Sequence, residues 1–71
     1  MKTLGIRLKE LRIEKNLLQT DMAALLSVSL RQYQRYEKDK SDMYLSNVIL
    51  LADYFDVSLD YIAGRSDNRN S

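Results

Sequence analysis

Residues 29–40 read S-L-R-Q-Y-Q-R-Y-E-K-D-K, and this order predicts a short helix with two chemically different sides. Long side chains that donate hydrogen bonds recur at intervals of three and four residues, the spacing that places them on one helical face. These side chains are Arg31, Gln34, Arg35 and Lys38. Tyr33, Tyr36 and Glu37 fall on the opposite side. Ser29 stands just before the first turn, where its hydroxyl can accept from free backbone N–H groups.

The donor face of this helix has two interpretations. An arginine can bond to O6 and N7 of guanine, and a glutamine to N6 and N7 of adenine, so the face is suited to reading the edges of DNA bases. A stripe of four polar residues is also what an ordinary solvated helix presents to water. The surrounding sequence decides between these interpretations.

A second short helix is predicted directly before the first. Apolar residues at Met22, Leu25 and Leu26 indicate a helix that begins near Gln19 and ends at about Leu26. Residues 27–29, S-V-S, interrupt the pattern before the donor-bearing helix begins. Two short helices joined by a turn of three or four residues form a helix-turn-helix unit, whose second helix enters the DNA major groove.

The remaining segments also show helical periodicity. An apolar stripe runs through residues 4–11, with Arg7 on the predicted solvent side and Asn16 as a C-terminal stop. Apolar residues return at helical spacing over residues 45–55. One further helical turn is predicted after Ser58, which can serve as its N-cap. The sequence therefore predicts an all-α fold of five short helices.

A chain of 71 residues suffices for one domain, predicted over residues 1–64 and followed by a flexible polar tail over 65–71. It contains no cysteine and no histidine, so it lacks the usual transition-metal ligands and the commonest catalytic base. We therefore expect no metal, no cofactor and no enzymatic activity. No apolar segment approaches the roughly 20 residues that span a bilayer, and no signal peptide opens the chain, so we expect a cytoplasmic protein.

Charge is distributed unevenly along the chain, although the net charge is only +1. Residues 1–40 contain nine lysines and arginines against five acidic residues, whereas residues 41–71 contain two against five. This polarity predicts a basic face opposite an acidic end. A weak basic patch implies modest non-specific affinity for nucleic acid, because neutralisation of phosphates supplies most of that affinity.

Four sequence fragments together resemble the Cro/repressor, or Xre, family of helix-turn-helix regulators. They are LLQTDMA at 17–23, VS at 28–29, YQRYE at 33–37 and LADYFDVSLD at 51–60. The resemblance covers roughly residues 4–64 and implies a five-helix, lambda-repressor-like DNA-binding domain. Two positions depart from the family pattern, because Ser27 and Asp39 stand where its members usually carry glycine.

The resemblance also implies roles for individual residues. The positions that face base edges match Leu30, Arg31, Gln34 and Arg35. The positions that contact the phosphate backbone match Gln19, Gln32, and Lys38 or Lys40. Arg12 and Glu37 match an ion pair that ties the first helix to the second helix of the motif. Leu30 either packs on a thymine methyl or lies exposed, and Tyr44 is a further candidate for a phosphate contact.

These roles imply a sequence-specific regulator of transcription that binds double-stranded DNA, most simply a bacterial or phage repressor associated with the nucleoid. Because one small domain offers little interface, we expect a homodimer on a near-palindromic operator with half-sites about 34 Å apart. The predicted dimer contacts are Phe55, Val57 and Ile62. An alternative is an antitoxin or adaptor that uses the same fold to hold a protein partner. No sensor domain follows the fifth predicted helix, so no small-molecule ligand is expected.

Overall fold

A computed structural model describes residues 2–70, which contain five helices and no strand. The helices are α1 (Leu4–Glu14), α2 (Gln19–Leu26), α3 (Leu30–Glu37), α4 (Leu45–Phe55) and α5 (Leu59–Ile62). The predicted all-α fold is therefore confirmed. Met1 and Ser71, at the outer ends of the predicted domain and tail, lie outside the described residues. None of the helices within residues 2–70 is both long and apolar enough to cross a membrane.

Side-chain oxygens at three helix starts accept hydrogen bonds from backbone N–H groups that the helix leaves free. The Ser29 hydroxyl accepts from Gln32 N at 3.1 Å at the start of α3. The Ser58 hydroxyl accepts from Tyr61 N at 3.0 Å at the start of α5. The Thr3 hydroxyl accepts from Ile6 N at 3.3 Å at the start of α1. The predicted caps at Ser29 and Ser58 are thus confirmed.

Two turns flanking α3 contain a non-glycine residue with left-handed backbone. Ser27 has φ of 57° before α3, and Asp39 has φ of 56° after it. Both residues adopt the conformation that glycine would adopt at little steric cost. Asn16, the predicted stop of the first helix, has a similar φ of 56°. The two residues that stand where the resemblance has glycine therefore keep the left-handed backbone that glycine favours.

Apolar side chains from all five helices form the core. One almost wholly enclosed side chain comes from each helix in turn, and these are Leu8, Met22, Tyr33, Leu51 and Ile62. Tyr33 and Tyr36 face inward, whereas Arg31 and Arg35 on the same helix are exposed. The predicted orientation of α3 is confirmed. Because aromatic side chains bury a large apolar area, the two tyrosines hold α3 against the rest of the domain.

α1 and the end of α3 approach so closely that glycine is required at position 5. A Cβ atom on Gly5 would lie 2.6 Å from the Glu37 carbonyl oxygen and 2.7 Å from that of Tyr36. Asp39 joins the same two elements, since its carboxylate accepts from Gly5 N at 3.0 Å and from the Thr3 hydroxyl at 2.6 Å. Asp39, which stands where the resemblance has glycine, thus ties the start of α1 to the end of α3.

Arg7 lies in the interior, so the prediction that it faces solvent is wrong. Only 4% of its surface is exposed, and its guanidinium carbon lies 4.1 Å from the centre of the Tyr61 ring. Its Nη2 donates to the Asp67 carboxylate and to the Ser66 carbonyl oxygen. The periodicity of α1 could not indicate this burial, because the covering residues lie 59 and 60 positions later in the chain.

The segment after α5 runs back over α1 and α5. Ser58 N donates to the Arg69 carbonyl oxygen at 2.7 Å. Arg69 Nε donates to the Tyr61 hydroxyl at 3.2 Å, and its Nη1 donates to Glu14 at 3.0 Å. The hydrogen bonds from Arg69 lower the pKa of Glu14. The structure thus gives this segment defined contacts, and its predicted flexibility stays a prediction for measurements of dynamics.

Candidate nucleic-acid interface

The outward face of α3 presents the four side chains that were predicted to meet base edges. Arg31 and Arg35 are exposed, and Gln34 is half-buried between them and the start of α2. Leu30, the first residue of the helix, is 40% exposed. One donor of Arg35, Nη2, bonds to the Lys40 carbonyl oxygen at 3.0 Å, which leaves further guanidinium N–H groups for a ligand. Three long donors and one apolar side chain therefore share this surface.

Gln34 is connected to the interior of the domain through Gln19. Gln34 Nε2 donates to Gln19 Oε1, and Gln19 Nε2 donates to Glu37 Oε1, each at 3.2 Å. The structure therefore places the side-chain amide of Gln19, a predicted phosphate contact, between two protein side chains. Its backbone N–H belongs to the first turn of α2, where free N–H groups favour an anion.

Glu37 accepts hydrogen bonds from three helices. Arg12 Nε donates to Glu37 Oε2 at 2.6 Å, and the Tyr33 hydroxyl donates to the same oxygen. Arg12 Nη1 also donates to the Leu17 carbonyl oxygen at 2.9 Å, which ties in the loop between α1 and α2. Burial alone raises the pKa of Glu37, but the hydrogen bonds from Arg12, Tyr33 and Gln19 outweigh it and lower the pKa below its ordinary value of 4.5. The predicted ion-pair partners thus meet in the structure.

The other predicted phosphate contacts lie along α3 and in the loop after it. Lys38 and Lys40 are exposed, and Tyr44 is 80% exposed immediately before α4. Gln32 is half-buried, and its Nε2 donates to the Ser41 hydroxyl at 2.9 Å. This hydrogen bond joins the loop to α3. Lys38 directly follows the helix, and Lys40 lies two residues further along the same loop.

An open cleft beside this face contains Leu18 and Thr20, for which the sequence predicted no role. The cleft is lined by Arg12, Leu18, Gln19, Thr20 and Leu30. Leu18 is 66% exposed just before α2. Isolated exposed apolar residues are common on protein surfaces, so the sequence contained no signal that would distinguish this leucine from one in the core.

Two of the three predicted dimer contacts are wrong. Phe55 and Ile62 have 5% and 0% of their surfaces exposed, and side chains enclosed by their own domain have no surface for a partner. Val57 is half-buried against the core. The exposed large apolar side chains of α4 and α5 are instead Leu45, Ile49, Leu50, Tyr54 and Leu59.

Comparison with known proteins finds helix-turn-helix sequences. The family model HTH_3, described as helix-turn-helix, matches residues 8–62. The uncharacterized HTH-type transcriptional regulator YobD of Bacillus subtilis strain 168 is 32% identical over 62 residues, which are 87% of this chain and 55% of YobD. The HTH-type transcriptional regulator ImmR of the same strain is 31% identical over 65 residues, which are 92% of this chain and 51% of ImmR.

Two further comparisons agree with these. The HTH-type transcriptional regulator PrpR of Mycobacterium tuberculosis is 34% identical over 92% of this chain, but the match covers 13% of PrpR. A crystal structure of a transcriptional regulator from Listeria innocua superposes with a TM-score of 0.83 at 29% identity, covering 87% of this chain and 58% of that one. The chain thus spans about half the length of YobD and ImmR and a smaller part of PrpR.

Proposed function

Because the chain belongs to the HTH_3 family of helix-turn-helix proteins, the Xre-type regulators that its sequence resembles, we propose that it binds a specific sequence of double-stranded DNA and represses transcription as a dimer. The orientation of α3 is the observation that carries the proposal. Its tyrosines are buried while Arg31 and Arg35 are exposed, so the helix has an outward face free of core packing. A helix-turn-helix places such a face in the major groove.

Sequence is read by four side chains in this proposal. Arg31 and Arg35 each bond to O6 and N7 of a guanine, and Gln34 bonds to N6 and N7 of an adenine. Leu30 packs against the methyl group of a thymine. Each bidentate pair contributes about 1–3 kcal/mol of discrimination against the wrong base. The exposure of the arginines supports these roles, because their guanidinium groups are accessible from outside the domain.

Phosphate contacts hold α3 in register on the duplex without reading its sequence. The proposed contacts are Gln19, Gln32, Lys38, Lys40 and Tyr44. Lys38 and Lys40 supply positive charge at the end of α3, and Gln19 contributes through its backbone N–H in the first turn of α2. Because only two of these five proposed contacts are lysines, we expect few released counterions and a shallow, but measurable, dependence of affinity on salt.

A second copy of the chain is the proposed partner on DNA. A two-fold dimer places its two recognition helices about 34 Å apart, one turn of DNA, and so matches a near-palindromic operator. Val57 remains from the predicted contact set. The exposed apolar side chains of α4 and α5 described above support such a contact. Repression then follows from occupancy, because the bound dimer blocks access of the polymerase.

Selection of bound duplexes from a random pool tests this proposal with the unmodified chain, Arg31→Ala and Arg35→Ala. We expect the unmodified chain to enrich a near-palindrome. Where an arginine reads a base, its alanine variant should lose about 1–3 kcal/mol and relax the preference at one position of each half-site. A uniform loss across all sequences would reassign that arginine to phosphate. Arg65→Ala, at an exposed arginine after α5, is the matched control, and no enrichment by the unmodified chain would contradict the proposal.

The exposed apolar side chains of α4 favour a second candidate function, an antitoxin or adaptor that holds a protein partner. Apolar surface that remains outside the core can mark a contact between proteins. Co-purification of a stoichiometric protein, together with no salt-sensitive binding to DNA, would favour this function over the first.

A further inference from the structure

We propose that the buried carboxylate of Glu37 sets the orientation of the Gln34 amide through Gln19, and that this orientation makes Gln34 prefer adenine over guanine. The inference rests on the proposed function, since it concerns what the outward face of α3 reads. Gln19 and Glu37 act as positioning residues, and Gln34 alone of the three touches a base.

The hydrogen bonds from Gln34 to Gln19 and from Gln19 to Glu37 can be donated in one direction only, because the buried carboxylate of Glu37 cannot donate. An ionised carboxylate only accepts, and Glu37 accepts from Gln19 Nε2 at 3.2 Å. Gln19 therefore turns its nitrogen toward Glu37 and its oxygen toward α3. That oxygen accepts from Gln34 Nε2 at 3.2 Å. The Gln34 amide cannot exchange the places of its oxygen and nitrogen without breaking its hydrogen bond to Gln19.

The carboxylate of Glu37 is held in one orientation by burial and by several hydrogen-bond donors. Its side chain is only 4% exposed, and Arg12 Nε donates to one carboxylate oxygen at 2.6 Å. The Tyr33 hydroxyl donates to the same oxygen, whereas Gln19 donates to the other. Because both oxygens are held by donors from separate helices, rotation of the carboxylate would break several hydrogen bonds in a poorly solvated site.

The bond to Gln19 leaves Gln34 with one free N–H and its oxygen. Adenine presents one donor and one acceptor in the major groove, N6 and N7, and so matches this remaining pair. Guanine presents two acceptors, O6 and N7, so the Gln34 oxygen would face O6 with no proton between them. A Gln34 amide released from Gln19 could instead turn both of its N–H groups toward the two acceptors of guanine.

Gln32, which lies on α3 like Gln34, is the control for Gln19. It is half-buried like Gln19, and its Nε2 donates to the Ser41 hydroxyl at 2.9 Å, outside the chain that begins at Glu37. A hydroxyl both donates and accepts, so it does not impose one amide orientation on its partner. Gln19→Leu and Gln32→Leu therefore each remove one half-buried side-chain amide, and only Gln19→Leu interrupts the hydrogen bonds that run from Glu37 to Gln34.

The test measures affinity for duplexes that differ only by adenine or guanine at the position where Gln34→Ala loses its preference. We expect the unmodified chain to favour adenine by about fivefold or more. Gln19→Leu should reduce this ratio to below about twofold, whereas Gln32→Leu should keep it even if every affinity falls. A Gln19→Leu variant that weakens all sequences equally and keeps the adenine preference would overturn the proposal.

A measurement on the free protein separates this inference from DNA binding itself. In nitrogen-15 NMR spectra, one side-chain N–H proton of Gln34 should be shifted and exchange slowly with water, and Gln19→Leu should abolish both effects. Gln34 signals at ordinary positions in the unmodified chain would overturn the inference without any variant. If the signals behave as expected but the unmodified chain enriches no duplex, the proposed function fails, and the base preference fails with it, while the positioning of Gln34 stands.

Discussion

Glu37 is a single acidic residue on which α1, α2 and α3 converge. Arg12, Gln19 and Tyr33 each donate to its carboxylate. A buried pair of charges is a weak source of net stability, because the loss of hydration offsets the attraction. Removing one partner is nevertheless costly, since the other charge is then left buried and uncompensated.

Replacing Arg12 by methionine should lower the free energy of unfolding by about 3–5 kcal/mol at neutral pH. The folded protein holds the pKa of Glu37 below 4.5, so the stabilisation is fully present above that pH and is lost as the pH falls through the folded-state pKa. The deficit of Arg12→Met should therefore narrow in acid, where Glu37 is protonated. Urea unfolding at several pH values measures this, with Lys15→Met at an exposed position as control. A deficit that is constant with pH would contradict the assignment.

Ser27 allows the cost of a left-handed backbone in the turn between α2 and α3 to be measured by a single substitution. Its backbone is left-handed, which costs an L-residue roughly 1–2 kcal/mol, whereas glycine is unstrained there but adds freedom to the unfolded chain. Ser27→Gly should therefore raise the free energy of unfolding by about 0.5–1 kcal/mol in urea denaturation. Ser29→Gly is the matched control, because Ser29 has extended backbone and caps α3, so the same exchange should destabilise. A loss of stability in both variants would argue against strain in the turn.

At the scale of the helix, position and orientation could be predicted from the sequence because periodicity and capping are local properties. The apolar spacing located α2, and the two tyrosines of α3 face the core as their spacing indicated. The pairing of Gln19 with Gln34 was not predictable in this way. It depends on how α2 packs against α3, and no pattern within one helix contains that information.

The same limit explains why Arg7 and the apolar pair Phe55 and Ile62 lie where the sequence did not predict them. Arg7 lies in a polar position of the α1 pattern, and its cover comes from residues beyond α5. Phe55 and Ile62 belong to apolar stripes, and a stripe does not state whether it faces its own core or a partner. Both outcomes were decided by contacts between segments distant in sequence.

Gly5 provides a test of how α1 meets α3. At an open helix position alanine is more stabilising than glycine by about 1 kcal/mol. Here the added Cβ would lie 2.6 Å from the Glu37 carbonyl oxygen, so α1 would have to move away. Gly5→Ala should therefore destabilise by roughly 1–3 kcal/mol, the range for overpacking. Thermal unfolding measures whether Gly5→Ala lowers or raises the melting temperature. Ala24→Gly, at an exposed position of α2, is the control, because there glycine should be the less stable residue. A higher melting temperature for Gly5→Ala would contradict the close approach of α1 and α3.

On the scale of the whole molecule, the segment after α5 bonds to α1 at two positions. Asp67 holds Arg7 of α1, and Arg69 bonds to Glu14 near the end of the same helix. The segment therefore covers a surface that α1 would otherwise present to water. Its contacts also explain how an arginine can be accommodated in the interior of so small a domain.

Removing residues 66–71 should lower the melting temperature by several degrees, because about 1 kcal/mol corresponds to roughly 4–8 °C in a domain of this size. Hydrogen exchange of the α1 amides should accelerate at the same time, since Arg7 loses its cover. Asp67→Asn should reproduce part of the loss, and Asp53→Asn at an exposed position of α4 is the control. An unchanged melting temperature after truncation would favour the flexible tail that the sequence predicted.

Two guanidinium groups lie over the ring of Tyr61, with Arg7 at 4.1 Å and Arg69 at 5.3 Å from its centre. The chain has five tyrosines, so fluorine placed on the tyrosine rings would give a spectrum with few signals. The resonance of Tyr61 should move when either cation leaves the ring. One fluorinated sample would then reveal whether adding a DNA duplex changes the contacts of Arg7 and Arg69 with this ring.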